Sequence, residues 1–379
     1  MSKNKKPEWT PENAGSEFAS SVMPGVHSTH DGLPSSKSSL GDRALPSKHP
    51  RKLEMNDYIS GILNQDRTIL ARAITLVESN SHSHQQQAQE LIRNILPKAG
   101  NSIRIAITGV PGAGKSTFIE TFGSYLTSKG HKVAVLAVDP SSSISKGSIL
   151  GDKTRMERLA RDPLCFIRPS PSGGTLGGVT KKTRETMLLC EASGYDVILV
   201  ETVGVGQSEI TVRSMVDFFL LLQIPGAGDE LQGIKKGVIE LADAIVVNKA
   251  DGDNIQKAEL AKTEYAHALH YLSPATEGWK TDAYTCSAYT GDGIPELWSL
   301  IEEFKAVTMN NGFFKQRRNA QVLDWVKSMI QEHLESSFYH DPNIKAIMPG
   351  IQKQLLAGEM TASSAVEILL KQYTKANSK

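Results

Sequence analysis

Hydrophobic positions change their period along this chain. Between residues 53 and 96 they recur at helical spacing: Tyr58, Ile59, Ile62 and Leu63, then Ile69, Leu70, Ala73, Ile74 and Val77, then Leu91, Ile92, Ile95 and Leu96. Pro97 and Gly100 close that segment, and the polar SNSHSHQQQ stretch holding His82 and His84 reads as a solvated loop between helices. From Ile103 to Phe304 short β-branched runs alternate with helical stretches. Predicted strands cover residues 103–108, 133–139, 197–201, 218–224, 244–248 and 283–287, with a helix predicted over 117–126. Their near-continuous apolar character suits strands buried on both faces, which implies an α/β fold with a mainly parallel sheet wrapped by helices. After Asn310-Asn311-Gly312 the period becomes wholly helical. Val322, Trp325, Val326, Met329, Ile330, His333 and Leu334 form one apolar stripe, residues from Ile344 to Leu355 a second, and Val366, Leu369, Leu370 and Tyr373 a third. Those stripes need a surface to pack on, in their own domain or in a second subunit, and spacing alone does not choose.

Residues 1–50 are rich in Ser, Pro, Lys and Gly, bury too little apolar surface to offset their ordering entropy, and read as a disordered tail. The expected organisation is therefore that tail, an N-terminal helical segment over 51–99, an α/β domain over 100–308 and a helical arm over 309–379. The net charge of +1 gives no electrostatic reason to expect nucleic acid or an anionic membrane as a partner. The longest apolar runs are strand-length, far short of the ~20 residues of a membrane span. Cys165, Cys190 and Cys286 are scattered and form no metal-ligand spacing. The N-terminus carries Lys3, Lys5 and Lys6 with no apolar run behind them, has Glu8, Glu12 and Glu17, and lacks Arg before Arg43. That pattern fits neither a secretory signal nor a mitochondrial transit peptide, so a cytoplasmic location is expected.

The strongest chemical signal is Gly109-Val110-Pro111-Gly112-Ala113-Gly114-Lys115-Ser116-Thr117, lying between a predicted strand and a predicted helix. Phosphate oxygens need closely approaching backbone N–H groups, which glycines permit, and a helix N-terminus adds partial positive charge. Lys115 is then expected to reach the β- and γ-phosphates and the Ser116 hydroxyl to ligate Mg²⁺. Asn248-Lys249-Ala250-Asp251 follows another predicted strand; a carboxylate there accepts from the guanine N1–H and N2 amine, a donor pair that adenine lacks. Ser287-Ala288-Tyr289 follows the next strand, where a backbone amide is expected to meet guanine O6. Between these signals, Glu201-Thr202-Val203-Gly204 ends a strand with an acid that can hold Mg²⁺, followed by a glycine whose N–H can sense the γ-phosphate. Asp139 and Asp152 are further Mg²⁺ candidates. Val205, not Gln, follows Gly204, so no water-positioning group is evident and slow intrinsic hydrolysis with partner stimulation is expected. In the loop 226–237, Lys235 either bridges to nucleotide or partner or covers a solvated helix start.

Taken together, GVPGAGKST (109–117), VDPSSS (138–143), GSILGDKTRM (147–156), RPSPSGGTLGGV (168–179), ETVGVGQSE (201–209), GAGDELQGIKKG (226–237) and NKAD (248–251) resemble the MeaB/ArgK-like P-loop GTPases, the G-protein chaperones of methylmalonyl-CoA mutase. The likeness spans roughly residues 53–375. It implies a P-loop GTPase domain with helical N- and C-terminal extensions, GTP/GDP and Mg²⁺ as ligands, and a homodimer that binds an adenosylcobalamin-dependent acyl-CoA mutase. It further implies that GTP binding and hydrolysis gate cofactor delivery and help replace damaged cofactor. Carried over by position, Ser116, Asp139, Asp152 and Glu201 form the Mg²⁺ neighbourhood and Lys115, Glu201 and Lys235 the catalytic set. The loops 140–156, 201–215 and 226–237 would be switches, and the arm after residue 310 the dimer contact. Rival expectations are a metallochaperone GTPase, which needs a Cys/His cluster that this chain does not offer, a kinase tied to amino-acid transport, and a scaffold that binds GTP without turnover.

Overall fold

The structure, a computed structural model, describes residues 53–138, 156–169, 176–202, 208–226 and 236–377. The N-terminal tail lies outside them. The strands are β1 (Ile103–Gly109), β2 (Val133–Val138), β3 (Cys165–Arg168), β4 (Val197–Thr202), β5 (Phe218–Gln223), β6 (Ala244–Val247) and β7 (Ala283–Thr285). They form one seven-stranded sheet in the order β3-β2-β4-β1-β5-β6-β7, with every pairing parallel. The described helices are α1 (Met55–Leu63), α2 (Arg67–Glu78), α3 (His82–Ile95), α4 (Lys115–Ser128), α5 (Glu157–Arg161), α6 (Leu176–Ala192) and α7 (Ser208–Arg213), then α8 (Lys236–Ile239), α9 (Ile255–Leu269), α10 (Ile294–Asn310), α11 (Phe313–His340), α12 (Pro342–Leu356) and α13 (Ala362–Asn377).

Strand alternation divides the core into two layers. On one face Ala106, Ile198, Val200, Phe219 and Leu221 pack with Ile62, Leu70, Ile74 and Leu91 of α1–α3, Met187 of α6, Val212 of α7 and Tyr265 of α9. On the other, Ile105, Ile107, Leu199 and Leu220 pack with Phe118 and Phe122 of α4, Leu159 of α5, and Trp298, Ile301 and Phe304 of α10. The N-terminal helices therefore share the apolar layer of the sheet. Local chemistry sets their limits: the Asp66 carboxylate accepts from Thr68 N–H at 2.8 Å and Ile69 N–H at 3.1 Å, capping α2.

Two expectations need correction. The polar stretch around His84 is not a loop but the opening of α3. Gln is a good helix former, and Ala88, Leu91 and Ile95, a turn apart, bury the inner face of this helix. The strand β3 was not foreseen: it has four residues, pairs only with β2 at the sheet edge, and ends on the half-buried Arg168. A segment so short carries no readable period. The other strands fall where predicted, with Ile224, Asn248 and Ser287 just beyond their strand ends.

The root of α11 is fixed to the sheet end opposite the β1 C-terminus. The Arg318 guanidinium donates to both Asp217 carboxylate oxygens at 2.8 and 2.6 Å and to the Gly100 and Ser102 carbonyls at 2.6 and 2.7 Å. Further along α11, Val322, Val326, Ile330 and Leu334 are 53, 43, 54 and 58% exposed, so that apolar stripe is open in the single chain. No helix among the described residues is long and apolar enough to cross a membrane.

Candidate active site

The C-terminal ends of β1, β4 and β6 point to one crevice, the place where open parallel sheets bind ligands. Gly109 ends β1 with φ +149°, and a Cβ there would lie 2.2 Å from the Leu222 carbonyl oxygen of β5. Only glycine fits. The loop then closes through Ala113 N–H donating to the Val110 carbonyl at 3.1 Å, and Gly114, at φ +84°, caps α4. The helix starts at Lys115, earlier than the period suggested, because the loop itself supplies the cap. Its first N–H groups face the crevice without intrahelical partners. Pro111, Gly112 and Thr117 are exposed, Ala113 is buried, and Val110 and Ser116 are half-buried.

Lys115 Nζ donates to the Gly109 carbonyl at 2.8 Å and lies 3.3 Å from that of Val110, so the ammonium is folded back on its own loop. Burial pulls its pKa below the ordinary 10.5, and the carboxylates of Glu201 and Glu209 push it back up. The Ser116 hydroxyl donates to Glu201 Oε1 at 3.1 Å. Glu201 is buried at the end of β4, so a hydroxyl and a carboxylate, both hard oxygen donors, meet beside the phosphate loop. That donor chemistry fits Mg²⁺. Asp139, Asp152, Gly204 and Lys235 lie outside the described residues.

Opposite, Asn248 is 1% exposed and ties three segments together. Its Nδ2 donates to the Ala113 carbonyl of the phosphate loop at 2.8 Å, while its Oδ1 accepts from Ala288 N–H at 2.9 Å. A Cβ on Gly114 would lie 2.8 Å from the same Nδ2, a second reason for glycine there. Lys249 holds a left-handed φ of +62°, uncommon for a side-chain-bearing residue and a mark of a site where the surroundings fix the backbone. The Ser287 hydroxyl donates to Asp251 Oδ2 at 2.5 Å and fixes the orientation of that carboxylate. The Thr121 hydroxyl of α4 donates to the Ala288 carbonyl at 2.6 Å, joining this loop to the phosphate side. Tyr289 projects outward at 88% exposure. An oriented carboxylate beside a cradle of free N–H groups can receive a ring carrying adjacent N–H and amine donors and a polyphosphate tail.

Sequence reasoning singled out most of these residues but missed Glu209, Thr121 and the bridging role of Asn248. Glu209 is 3% exposed in the first turn of α7, and its charge acts on Lys115. An acid on a helix turn ordinarily reads as a solvated end, so only its burial marks it. Within the 287–289 segment, where a backbone amide is expected to meet guanine O6, the Ala288 N–H is held by Asn248.

A family profile described as Methylmalonyl Co-A mutase-associated GTPase MeaB matches residues 70–343. A protein of Caulobacter vibrioides described as a putative GTPase is 54% identical over 84% of this chain and 97% of its own length. The methylmalonic aciduria type A homolog, mitochondrial, of Mus musculus is 45% identical over 83% of this chain and 78% of its length. A solved structure described as an LAO/AO transport system kinase superposes with a TM-score of 0.68 at 38% identity, covering 88% of this chain and 99% of that one.

Proposed function

Because the chain belongs to the MeaB family of methylmalonyl-CoA mutase-associated GTPases, we propose that it is a GTP-hydrolysing chaperone of an adenosylcobalamin-dependent acyl-CoA mutase. It gates cofactor loading and supports protection and reactivation of that mutase. In this reading the chain acts in the cytoplasm as a homodimer joined through residues 309–379, which would cover the open stripe of Val322, Val326, Ile330 and Leu334. The slow intrinsic rate is accelerated by the mutase.

Asp251, pinned by Ser287, accepts from guanine N1–H and the N2 amine and rejects adenine, which offers no such pair. The backbone N–H groups of Gly112 and of residues 114–116 at the α4 N-terminus hold the phosphates, and Lys115 turns from the Gly109 carbonyl to the β- and γ-oxygens. Ser116 and Glu201 would hold Mg²⁺, which neutralises charge developing on the transferred phosphoryl group. Asp139, Asp152, Gly204 and Lys235 belong to the same proposal by position in the chain.

The observation that carries the guanine reading is the Asn248 carboxamide, which bonds the phosphate loop on one side and the 287–289 loop on the other. Tail-binding and base-binding halves are thereby built as one unit. Single-turnover GTP hydrolysis with and without purified methylmalonyl-CoA mutase tests the chaperone part. Partner-dependent acceleration supports it, and an unchanged rate with GTP bound counts against it.

A further inference from the structure

The helix α7 is short, yet charged side chains on it act at both ends of the sheet. Only residues 203–207 separate it from Glu201 and Thr202 of β4 at the nucleotide end. Glu209 in its first turn adds its charge to the surroundings of Lys115. One turn later, on the same side of the helix, Arg213 lies at the opposite sheet end and forms a two-pronged ion pair with Asp243, at 2.8 and 3.2 Å. The Asp243 side chain is fully buried just before β6 and accepts from Phe219 N–H at 2.9 Å.

The same carboxylate is shared with the C-terminal arm. Arg317, in the second turn of α11, approaches Asp243 Oδ2 at 3.8 Å and donates to the Asp217 carbonyl at 2.5 Å; Arg213 and Arg317 also share the Thr276 hydroxyl. A second link runs in parallel. Arg184 of α6 donates to the Ser214 carbonyl and hydroxyl at 2.7 and 2.9 Å, immediately after α7, and to the Gln321 carbonyl of α11 at 3.2 Å. Gln321 Nε2 in turn donates to the Val216 carbonyl at 2.8 Å. Segment 213–216 and residues 317–321 of α11 thus hold each other through arginines that are almost wholly buried.

We propose that α7 is a transmission helix: exchange of GDP for GTP displaces it, and the Arg213–Asp243–Arg317 and Ser214–Arg184–Gln321 links carry that displacement into the docking angle of α11. The physical reason is that a one-sided break is expensive. Withdrawing Arg213 alone leaves a buried carboxylate short of a partner, and withdrawing Ser214 alone strips a buried guanidinium of two acceptors, so α7 and α11 shift together. The coupling gives the nucleotide a route to the arm that the proposed function uses for assembly, and it rests on the GTPase reading.

Hydrogen–deuterium exchange on the full chain, with Mg²⁺ and either GDP or a non-hydrolysable GTP analogue, tests this, with binding of each nucleotide confirmed by calorimetry. In the unaltered protein, amides over 313–325 are expected to exchange about fivefold or more differently in the two states, the lower end of ordinary allosteric coupling. Arg213→Lys keeps the charge but cannot bridge both carboxylate oxygens, and Arg184→Lys cannot reach Ser214 and Gln321 together. Each is expected to shrink that difference below about twofold while nucleotide affinity stays within about twofold. A purely structural role would raise exchange equally in both nucleotide states and keep the difference. If one variant fails to fold by circular dichroism, the other carries the test. Equal exchange of α11 in both states despite bound nucleotide overturns the relay alone, as does a full difference in the folded variants. Absence of GTP binding by the unaltered protein overturns the GTPase reading and the relay with it.

Discussion

Asn248→Ala is the substitution whose consequences the structure specifies most closely. The side chain is 1% exposed, and its removal deletes the bonds to the Ala113 carbonyl at 2.8 Å and from Ala288 N–H at 2.9 Å. Each buried backbone group left without a partner costs about 1–3 kcal/mol, so the pair amounts to about 2–6 kcal/mol. Part of this appears as stability: at ~2–4 °C per kcal/mol for a large domain, a share of about 1–3 kcal/mol lowers the melting temperature by about 2–12 °C. The remainder appears in nucleotide affinity, because the phosphate loop and the base loop lose the group that sets their separation. If about 1.4 kcal/mol of the loss falls on binding, GDP affinity drops about tenfold. Titration calorimetry with GDP and a thermal melt measure both quantities. Asn248→Asp is the matching control: it retains the acceptor for Ala288 N–H but sets a carboxylate oxygen against the Ala113 carbonyl, and it should be no milder. Binding within twofold and a melting temperature within about 1 °C for Asn248→Ala would refute the view that this carboxamide unites the site.

Lys115→Ala removes the ammonium that lies on the Gly109 carbonyl and is expected to weaken GTP binding about tenfold to a hundredfold, the worth of one charge-assisted bond, read by calorimetry. Burial alone would raise the pKa of Glu191, but its ion pair and hydrogen bond with Arg104, the Ser102 hydroxyl and the nearby Arg318 bring it below the ordinary 4.5. A carboxyl depressed in the folded state adds stability above its unfolded value and loses it as pH falls below about 4.5. Arg104→Met should therefore flatten the acid limb of a melting-temperature profile between about pH 5 and 3, and an unchanged limb would remove Glu191 from the account. Ile330→Glu puts a charge on the open stripe of α11 and should convert dimer to monomer in light scattering, as should truncation near residue 310; a dimer that survives both places the interface elsewhere.

The phosphate loop and the long strands were legible because each is a local pattern. Gly109 to Thr117 carries its geometry in consecutive residues, and β1, β4 and β5 are apolar along nearly their whole length. The roles of Asp251 and Ser287 were legible as separate motifs, yet the hydrogen bond between them joins segments distant in the chain, which no spacing reveals. No local pattern singles out the arginines at the root of α11, because Arg317 and Arg318 find Asp217 and Asp243 only after β5 and β6 lie side by side. Glu209 was hidden for the same reason: burial is a property of the fold, not of its residue type.

The central claim is that the Asp251 carboxylate reads guanine. Xanthine carries an oxygen where guanine has its N2 amine, so it repels a carboxylate and accepts from an amide. Calorimetry with GTP and XTP, in the presence of Mg²⁺, on the unaltered chain and on Asp251→Asn measures that reading directly. The account predicts that the unaltered chain prefers GTP by about a hundredfold or more and that Asp251→Asn reverses the order. An unaltered chain that binds the two equally, or an Asp251→Asn variant that keeps its preference for GTP, would contradict it.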